Sequence, residues 1–365
     1  MVTLGGIGNA QFRNGEVTME YRAVRVHNTG GGFWNTHLAS GRFTDFTTPF
    51  IENGFLFPES EDSNFTHFIS WGNMAPNAIA NACADIPLSN RVLILVEPRV
   101  MEPWTWSKQT LSQFGHVYAA SRQWADKINC EFFNWPQIMS SSISKESPTL
   151  LEPRLKRVAI IQTSKFNSIR GEKFSLRRLA IRRLMKSGIP IDVYGSYWHA
   201  TIIQNIYRKF HAFYKALTFA KYGSDFKFDI FDFRAIRTKR QNNLGFVENV
   251  FDTLSKYEYC LVIENCDDYV SEKLFNALNA GCKVVYVGPN LREHGLFMNS
   301  VVEAEHTPES IVEKFIKLFA IAEKHDHLVI QNEAIEWSKF ADSSIVHKDL
   351  AQRIVNAFLD DLIIR

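Results

Sequence analysis

The chain contains no uninterrupted apolar run approaching the ~18 residues that a membrane-spanning helix needs. Its first residues, Met1 to Glu20, hold no cationic start followed by an apolar stretch, so no secretory leader is expected. Cysteine is scarce. Cys83, Cys130, Cys260, Cys266 and Cys282 are odd in number, and no two lie four or fewer positions apart. That fits free buried thiols in a reducing compartment better than disulfides or a zinc site. With 12 Pro and 19 Gly in 365 residues, the composition is neither collagen-like nor that of a low-complexity chain. No repeat is visible at a period of roughly 20–50 residues, which removes solenoids and propellers.

What is present is an ordinary globular balance, 45% hydrophobic and 22% charged, with 29 Phe. A chain of 365 residues predicts about two domains at roughly 150 residues each. The net charge of +2 hides an asymmetry. Between Leu151 and Arg240 there are 20 Lys or Arg and 6 Asp or Glu, whereas the remainder holds 21 basic and 33 acidic residues. The middle of the chain therefore suits an anionic partner: a diphosphate, a nucleic acid or a membrane surface. Solvated helix faces account for most of these cations.

The apolar runs are of strand length and unbroken, as in strands covered on both faces. Thr66–Ser70, Arg91–Glu97 and His116–Ala119 are such candidates in the first half, and Arg157–Gln162, Ile191–Tyr194, Cys260–Ile263 and Lys283–Val287 in the second. Helices are predicted over 173–186, 201–222, 271–280, 308–324 and 347–362. The Ser- and Pro-containing stretch 140–153 reads as a linker. Strands alternating with helices predict parallel α/β layers, in two Rossmann-like units. Ligands in such sheets sit beyond the carboxyl ends of the strands, so polar residues just after apolar runs are the candidates.

Three places meet that description. In Tyr257–Gly288 a strand ends at Glu264-Asn265, an acidic turn follows, and a helix begins near Ser271 with Glu272 and Lys273 in its first turn. A helix N-terminus favours anions, and a lysine there opposes the helix dipole, a conflict that a bound phosphate would resolve. The plain alternative is a solvated Lys273 and a capping Glu272. In Thr163–Gly195, Arg170, Arg177, Arg178, Arg182 and Arg183 follow a strand, and arginine matches phosphate with a bidentate fork. Spacing does not choose among them. Glu97 follows Val92–Val96 and precedes Pro98, a position suited to a general base or to an ordinary loop carboxylate, with Glu102 as a rival nearby.

The Tyr257–Gly288 segment resembles the C-terminal signature of the α-1,3-fucosyltransferases, glycosyltransferase family 10. Glu264-Asn265, Tyr269-Val270-Ser271-Glu272-Lys273, Gly281 and Val287-Gly288 carry the likeness. Phe174–Arg178, Asp192–Gly195 and Leu93–Pro98 extend it, more weakly, to about residues 90–305. Cys266 replaces the usual Ser, and Val284 stands where most members have Pro. The resemblance implies a GT-B fold: two facing Rossmann-like domains with an interdomain cleft and a C-terminal helix. The expected boundaries are 1–152 for the acceptor domain, 153–335 for the GDP-fucose domain and 336–365 for the helical tail.

It also implies inverting transfer of fucose from GDP-fucose to a glycan hydroxyl, with α-1,3 linkage expected, as in glycan biosynthesis and protein glycosylation. Glu97 would be the base. Arg177, with Arg178 as competitor, and Glu264, Asn265, Tyr269, Glu272 and Lys273 would contact the donor. Neither a cofactor nor a metal is expected, since fixed cations would neutralise the leaving diphosphate; Asp267-Asp268 reads as turn and cap chemistry rather than a metal site. Of the Trp before residue 136 (34, 71, 104, 106, 124, 135), most are expected in the core, with room for one sugar platform. The expected setting is cytoplasmic, with peripheral membrane contact open and nucleic acid not a partner. Two alternatives remain: a GT-B transferase using another nucleotide sugar, and a non-enzymatic protein binding nucleic acid or a membrane surface.

Overall fold

A computed structural model of the chain describes residues 10–13, 16–19, 22–27, 33–38, 43–72, 76–133, 153–220, 243–294, 296, 299–320, 330 and 343–363. These divide into two compact units, Met1–Pro136 with Ser343–Arg365, and Gln137–Asp342.

The first unit opens on an antiparallel hairpin, β1 (Ala10–Arg13) and β2 (Glu16–Met19). It continues with β3 (Arg22–His27), α1 (Asn35–His37), α2 (Thr44–Glu52), β4 (Phe55–Leu56), β5 (His67–Trp71), α3 (Pro76–Ala82), β6 (Arg91–Leu95), α4 (Lys108–Leu111), β7 (His116–Ala119), α5 (Arg122–Ile128) and β8 (Glu131–Phe132). Strands β3 to β8 form one parallel sheet in the order β4-β3-β5-β6-β7-β8. All of β5 and nearly all of β6 are buried, as their continuous apolar runs predict.

The second unit runs β9 (Leu155–Ile161), α6 (Phe174–Lys186), β10 (Ile191–Tyr194), α7 (Ile202–Ala220), β11 (Asn243–Gly245), α8 (Val250–Leu254), β12 (Tyr257–Ile263), α9 (Glu272–Asn279), β13 (Lys283–Val287), β14 (Val301–Glu303) and α10 (Pro308–Ala320). Its sheet is also parallel, ordered β11-β10-β9-β12-β13-β14. Alternation along β12 and β13 splits the core between two faces. Cys260, Val262, Val284 and Tyr286 pack with α9 residues such as Leu274 and Leu278. Tyr259, Leu261, Val285 and Val287 pack with Ala180 and Leu184 of α6 and Phe315 of α10.

The last helix, α11 (Ser343–Ile363), belongs to the first unit. Phe358 sits among His67, Phe55 and Phe50, with ring centroids at 4.6, 5.8 and 6.4 Å. Burying such a ring contributes roughly 1.5–3 kcal/mol. Arg353 ion-pairs with Glu131 and donates to the Phe132 carbonyl at 3.1 Å, tying the helix to β8.

The two-unit parallel α/β architecture expected from the sequence is the one observed, and the expected strands and helices match within a few residues. Sequence patterning did not single out β3, the short β4 and β8 or helix α2 of the first unit, nor β11, α8 and β14 of the second. The expected linker 140–153 lies almost wholly outside the described residues. All five cysteines are free thiols, and all but Cys130 are buried. Among the described residues no helix is long and apolar enough to cross a membrane.

Candidate functional site

Strand β12 ends on a buried carboxylate. Glu264 is fully buried, and it accepts hydrogen bonds from Ser271 N at 2.9 Å and Ser271 Oγ at 2.6 Å. Ser271 is the N-cap of α9 but makes no cap bond with its own side chain. Glu264, seven residues upstream, instead holds the N-cap residue itself by its N–H and hydroxyl, closing the acidic turn into a loop. Lys273 Nζ donates to Ser271 Oγ at 2.8 Å and lies 3.6 Å from Glu264 Oε2.

The turn before α9 is thus closed by Glu264, a partner that spacing did not suggest. Lys273 in the first turn is offset by the buried carboxylate beneath it, so a bound phosphate is not required to explain it. Gly288 lets the end of β13 pass over this group: a Cβ there would lie 2.3 Å from Tyr286 Oη and 2.8 Å from Glu264 Cγ.

Arg177 of α6 reaches the same strand end. Its Nε and Nη2 donate to the Ile263 carbonyl at 3.1 and 2.6 Å, and Nη2 donates to Asn265 Oδ1 at 2.9 Å. Burial pulls its pKa down to about 10, which leaves it charged at neutral pH. Arg178 donates to Ser175 Oγ at 3.1 Å and to the Lys165 carbonyl, and its guanidinium lies 3.9 Å from the Phe166 ring centroid. The arginine run expected to be mostly solvated is so at Arg183, but Arg177 and Arg178 are buried. Lys173 holds the loop from the other side. Its N donates to the Asn265 carbonyl at 3.0 Å, and its buried Nζ meets His306 Nδ1 at 2.9 Å and pairs with the Asp267 carboxylate.

Beside this network lies a cavity of about 320 Å³. Ile161, Gln162 and Thr163 at the end of β9, Gly195 and Ser196 after β10, Phe246 after β11, the inner part of β12, and Glu272, Lys273 and Asn276 of α9 line it. Strand β9 is flanked by β10 and β12, so the cavity sits where the strand order reverses, the usual ligand position of such sheets. Gly195 has φ +117°, and a Cβ on it would lie 2.5 Å from the Gln162 carbonyl. Only glycine leaves the cavity floor intact.

Of the expected donor-side residues, Glu272 and Lys273 line this cavity, whereas Arg177, Arg178, Glu264, Asn265 and Tyr269 do not. Gln162, Thr163, Ser196 and Asn276 were not singled out by motif. Gln162 does satisfy the rule of a polar residue directly after an apolar run. Its Nε2 donates to Ile263 O at 3.2 Å, while its Oε1 is buried without a hydrogen-bond partner among the described residues.

In the first unit, Glu97 lies just past β6, half-buried, and its carbonyl accepts from Trp106 Nε1 at 3.1 Å. Glu102 is the more buried of the two. Trp71 and Trp106 are buried; Trp34, Trp104 and Trp124 are half-buried, and Trp135 lies outside the described residues. No group of three or more His, Cys, Asp or Glu side chains fit to hold a metal occurs among the described residues.

No protein-family model and no curated protein sequence matches the chain. Solved structures do. HepE from Anabaena, in complex with UDP and glucose, aligns at TM-score 0.51 and 11% identity over 92% of this chain and 99% of that one. A glycosyltransferase from Rickettsia africae aligns at TM-score 0.50 and 10% identity over 92% and 90%. An α1,3-fucosyltransferase aligns at TM-score 0.47 and 12% identity over 98% and 94%. At such identities the first two likenesses establish a fold: the chain has the GT-B fold of glycosyltransferases, two Rossmann-like units in one polypeptide.

Proposed function

We propose that this protein is an inverting glycosyltransferase that takes fucose from GDP-fucose to a glycan hydroxyl. The observation that carries the reading is the cavity at the β9/β12 switch point, with Glu272 and Lys273 of the α9 N-terminal turn on its wall. The nucleotide binds there. Glu272 accepts from ribose hydroxyls, while Lys273 and the first-turn N–H groups take the diphosphate. Glu264, Arg177 and Asn265 act one step back, fixing the loop and the helix start, and Arg178 braces the loop before α6. Glu97 removes the proton of the attacking hydroxyl. Negative charge grows on the leaving GDP, and the fixed cation and helix end stabilise it. No metal takes part, so turnover persists in EDTA; loss of activity restored by Mn²⁺ would move Asp267 and Asp268 into a metal site.

The donor sugar rests on the resemblance of Tyr257–Gly288 to family 10. HepE, solved with UDP and glucose, keeps a second reading alive, a transferase with another nucleotide sugar. Thermal unfolding with GDP, GDP-fucose, GDP-mannose and UDP-glucose separates them. A ligand at about 100 times its Kd adds roughly 2.7 kcal/mol of stability. The expected result is a shift with GDP and GDP-fucose. A shift with UDP-glucose alone replaces the donor, and no shift with any nucleotide overturns the transferase reading.

A further inference from the structure

The cavity of the second unit is polar mainly at its mouth. Glu272 and Ser196 there are exposed, and Lys273 is half-buried. Its interior is walled by the buried Leu254 of α8 and the buried Cys260 and Val262 of β12. Such a cavity suits a ligand whose charged end points outward and whose flat, less polar end points inward.

One polar side chain interrupts the apolar interior. Strands β12 and β13 are parallel, so the crossover helix α9 runs back down the sheet from its start at Glu272. Asn276 lies four residues along it, on the same face as Glu272 and roughly 6 Å deeper. It is half-buried, and its amide makes no hydrogen bond with any described residue. One donor group and one acceptor therefore stand unspent, side by side, inside an otherwise apolar wall. The lip adds a ring. Phe246 lines the cavity, is 81% exposed, and meets no other ring among the described residues. A planar ligand that covers such a ring gains stacking and removes apolar surface from water.

We propose that Asn276 and Phe246 recognise the base of a nucleoside diphosphate. Asn276 pairs its amide with an adjacent donor and acceptor on the base edge, and Phe246 stacks on the base face. This rests on the nucleotide reading of the same cavity and adds the two groups that read the base. The order along α9 is then that of the ligand: diphosphate at Lys273, ribose at Glu272, base at Asn276. Guanine and uracil both carry such an edge, so the assignment is independent of which sugar donor the protein uses.

Calorimetric titration of the full chain with GDP and with UDP tests it, the variants being compared with whichever of the two the wild type binds more tightly. Asn276→Leu keeps the volume but removes both hydrogen-bonding groups, and should weaken binding about ten- to thirtyfold. Phe246→Ala should weaken it about tenfold, whereas Phe246→Tyr, which keeps the ring, should bind like the wild type. The Tm of the ligand-free Phe246 variants should not change, since the ring is exposed. If Asn276→Leu unfolds, Asn276→Ser takes its place, with the same loss expected. Unaltered affinity in the folded Asn276 variant or in Phe246→Ala overturns the inference and leaves nucleotide binding itself intact, as do equal losses in Phe246→Ala and Phe246→Tyr. A wild type that binds neither GDP nor UDP overturns this assignment and the transferase reading together, so the two failures are told apart.

Discussion

The two six-stranded sheets are built from the same kind of buried parallel strand, yet they reverse direction at different places. In the second unit the reversal falls between β9 and β12. The strand ends there carry Gln162, Thr163 and Glu264, and beside them Lys273 and Arg177. In the first unit the reversal falls between β3 and β5, whose ends carry His27 and Trp71. Aromatic packing dominates that place: Trp71 meets Trp34 at 5.7 Å and Phe46 at 4.8 Å. Glu97 stands one strand further on, past β6. One architecture thus yields a polar, cation-supported strand end in one unit and an aromatic one in the other. Topology places the cavity of the second unit, while the assignment of Glu97 rests on its side chain and on sequence resemblance.

The largest expected effect tests that weaker half. Glu97→Gln should fold and bind GDP-fucose normally but lose transfer by about 10²–10⁴-fold, the usual cost of removing a general base. Glu102→Gln in the same assay should stay near wild type; the reverse pattern moves the base to Glu102.

The next prediction divides the cations of the second unit. Arg177→Ala strips hydrogen bonds from the buried Ile263 carbonyl and the half-buried Asn265 side chain. It should lower unfolding stability by about 3 kcal/mol, measured by denaturant titration. Lys273→Ala should instead weaken GDP binding by roughly 1.5–3 kcal/mol in calorimetry, with a much smaller change in Tm. If Arg177→Ala keeps its stability and loses GDP, that arginine contacts the diphosphate after all.

The smallest effect belongs to the first unit. Burial lowers the pKa of His67 from 6.5 to about 4, with Arg22 adding to it. The folded state keeps this ring neutral, whereas the unfolded chain takes up a proton near its ordinary value. Stability is therefore full above the unfolded value and declines as pH falls toward the folded one. By about pH 5 the loss is roughly 1–2 kcal/mol. His347, whose pKa burial also lowers, adds in the same direction. Thermal unfolding across that range should show the slope, and His67→Gln should flatten it; an unchanged slope assigns it to other groups.

Much of this was legible in the residues themselves. The apolar runs at 91–97, 116–119, 157–162 and 283–287 declared strands because their β-branched and aliphatic side chains are covered on both faces. The glycine-proline step at 188–190 ended α6. The polar residues after β12 and the Lys273 turn marked a candidate site because helix starts and strand ends are local features. The first unit was harder: β4 and β8 span two residues each, too short for any period to register.

Sequence alone determined what short-range physics controls: where strands and helices form, the parallel α/β class, the basic middle, and the placement of Glu272 and Lys273 in one helical turn. Tertiary structure decided the partners. The strand order, and so the switch point and its cavity, follows from which strand edges pair. Arg177 finds the Ile263 carbonyl 86 positions away, and Gln162 finds the same carbonyl 101 positions away. Such pairings arise because buried polar groups must be satisfied by whatever the fold brings near, and no local pattern records what that will be.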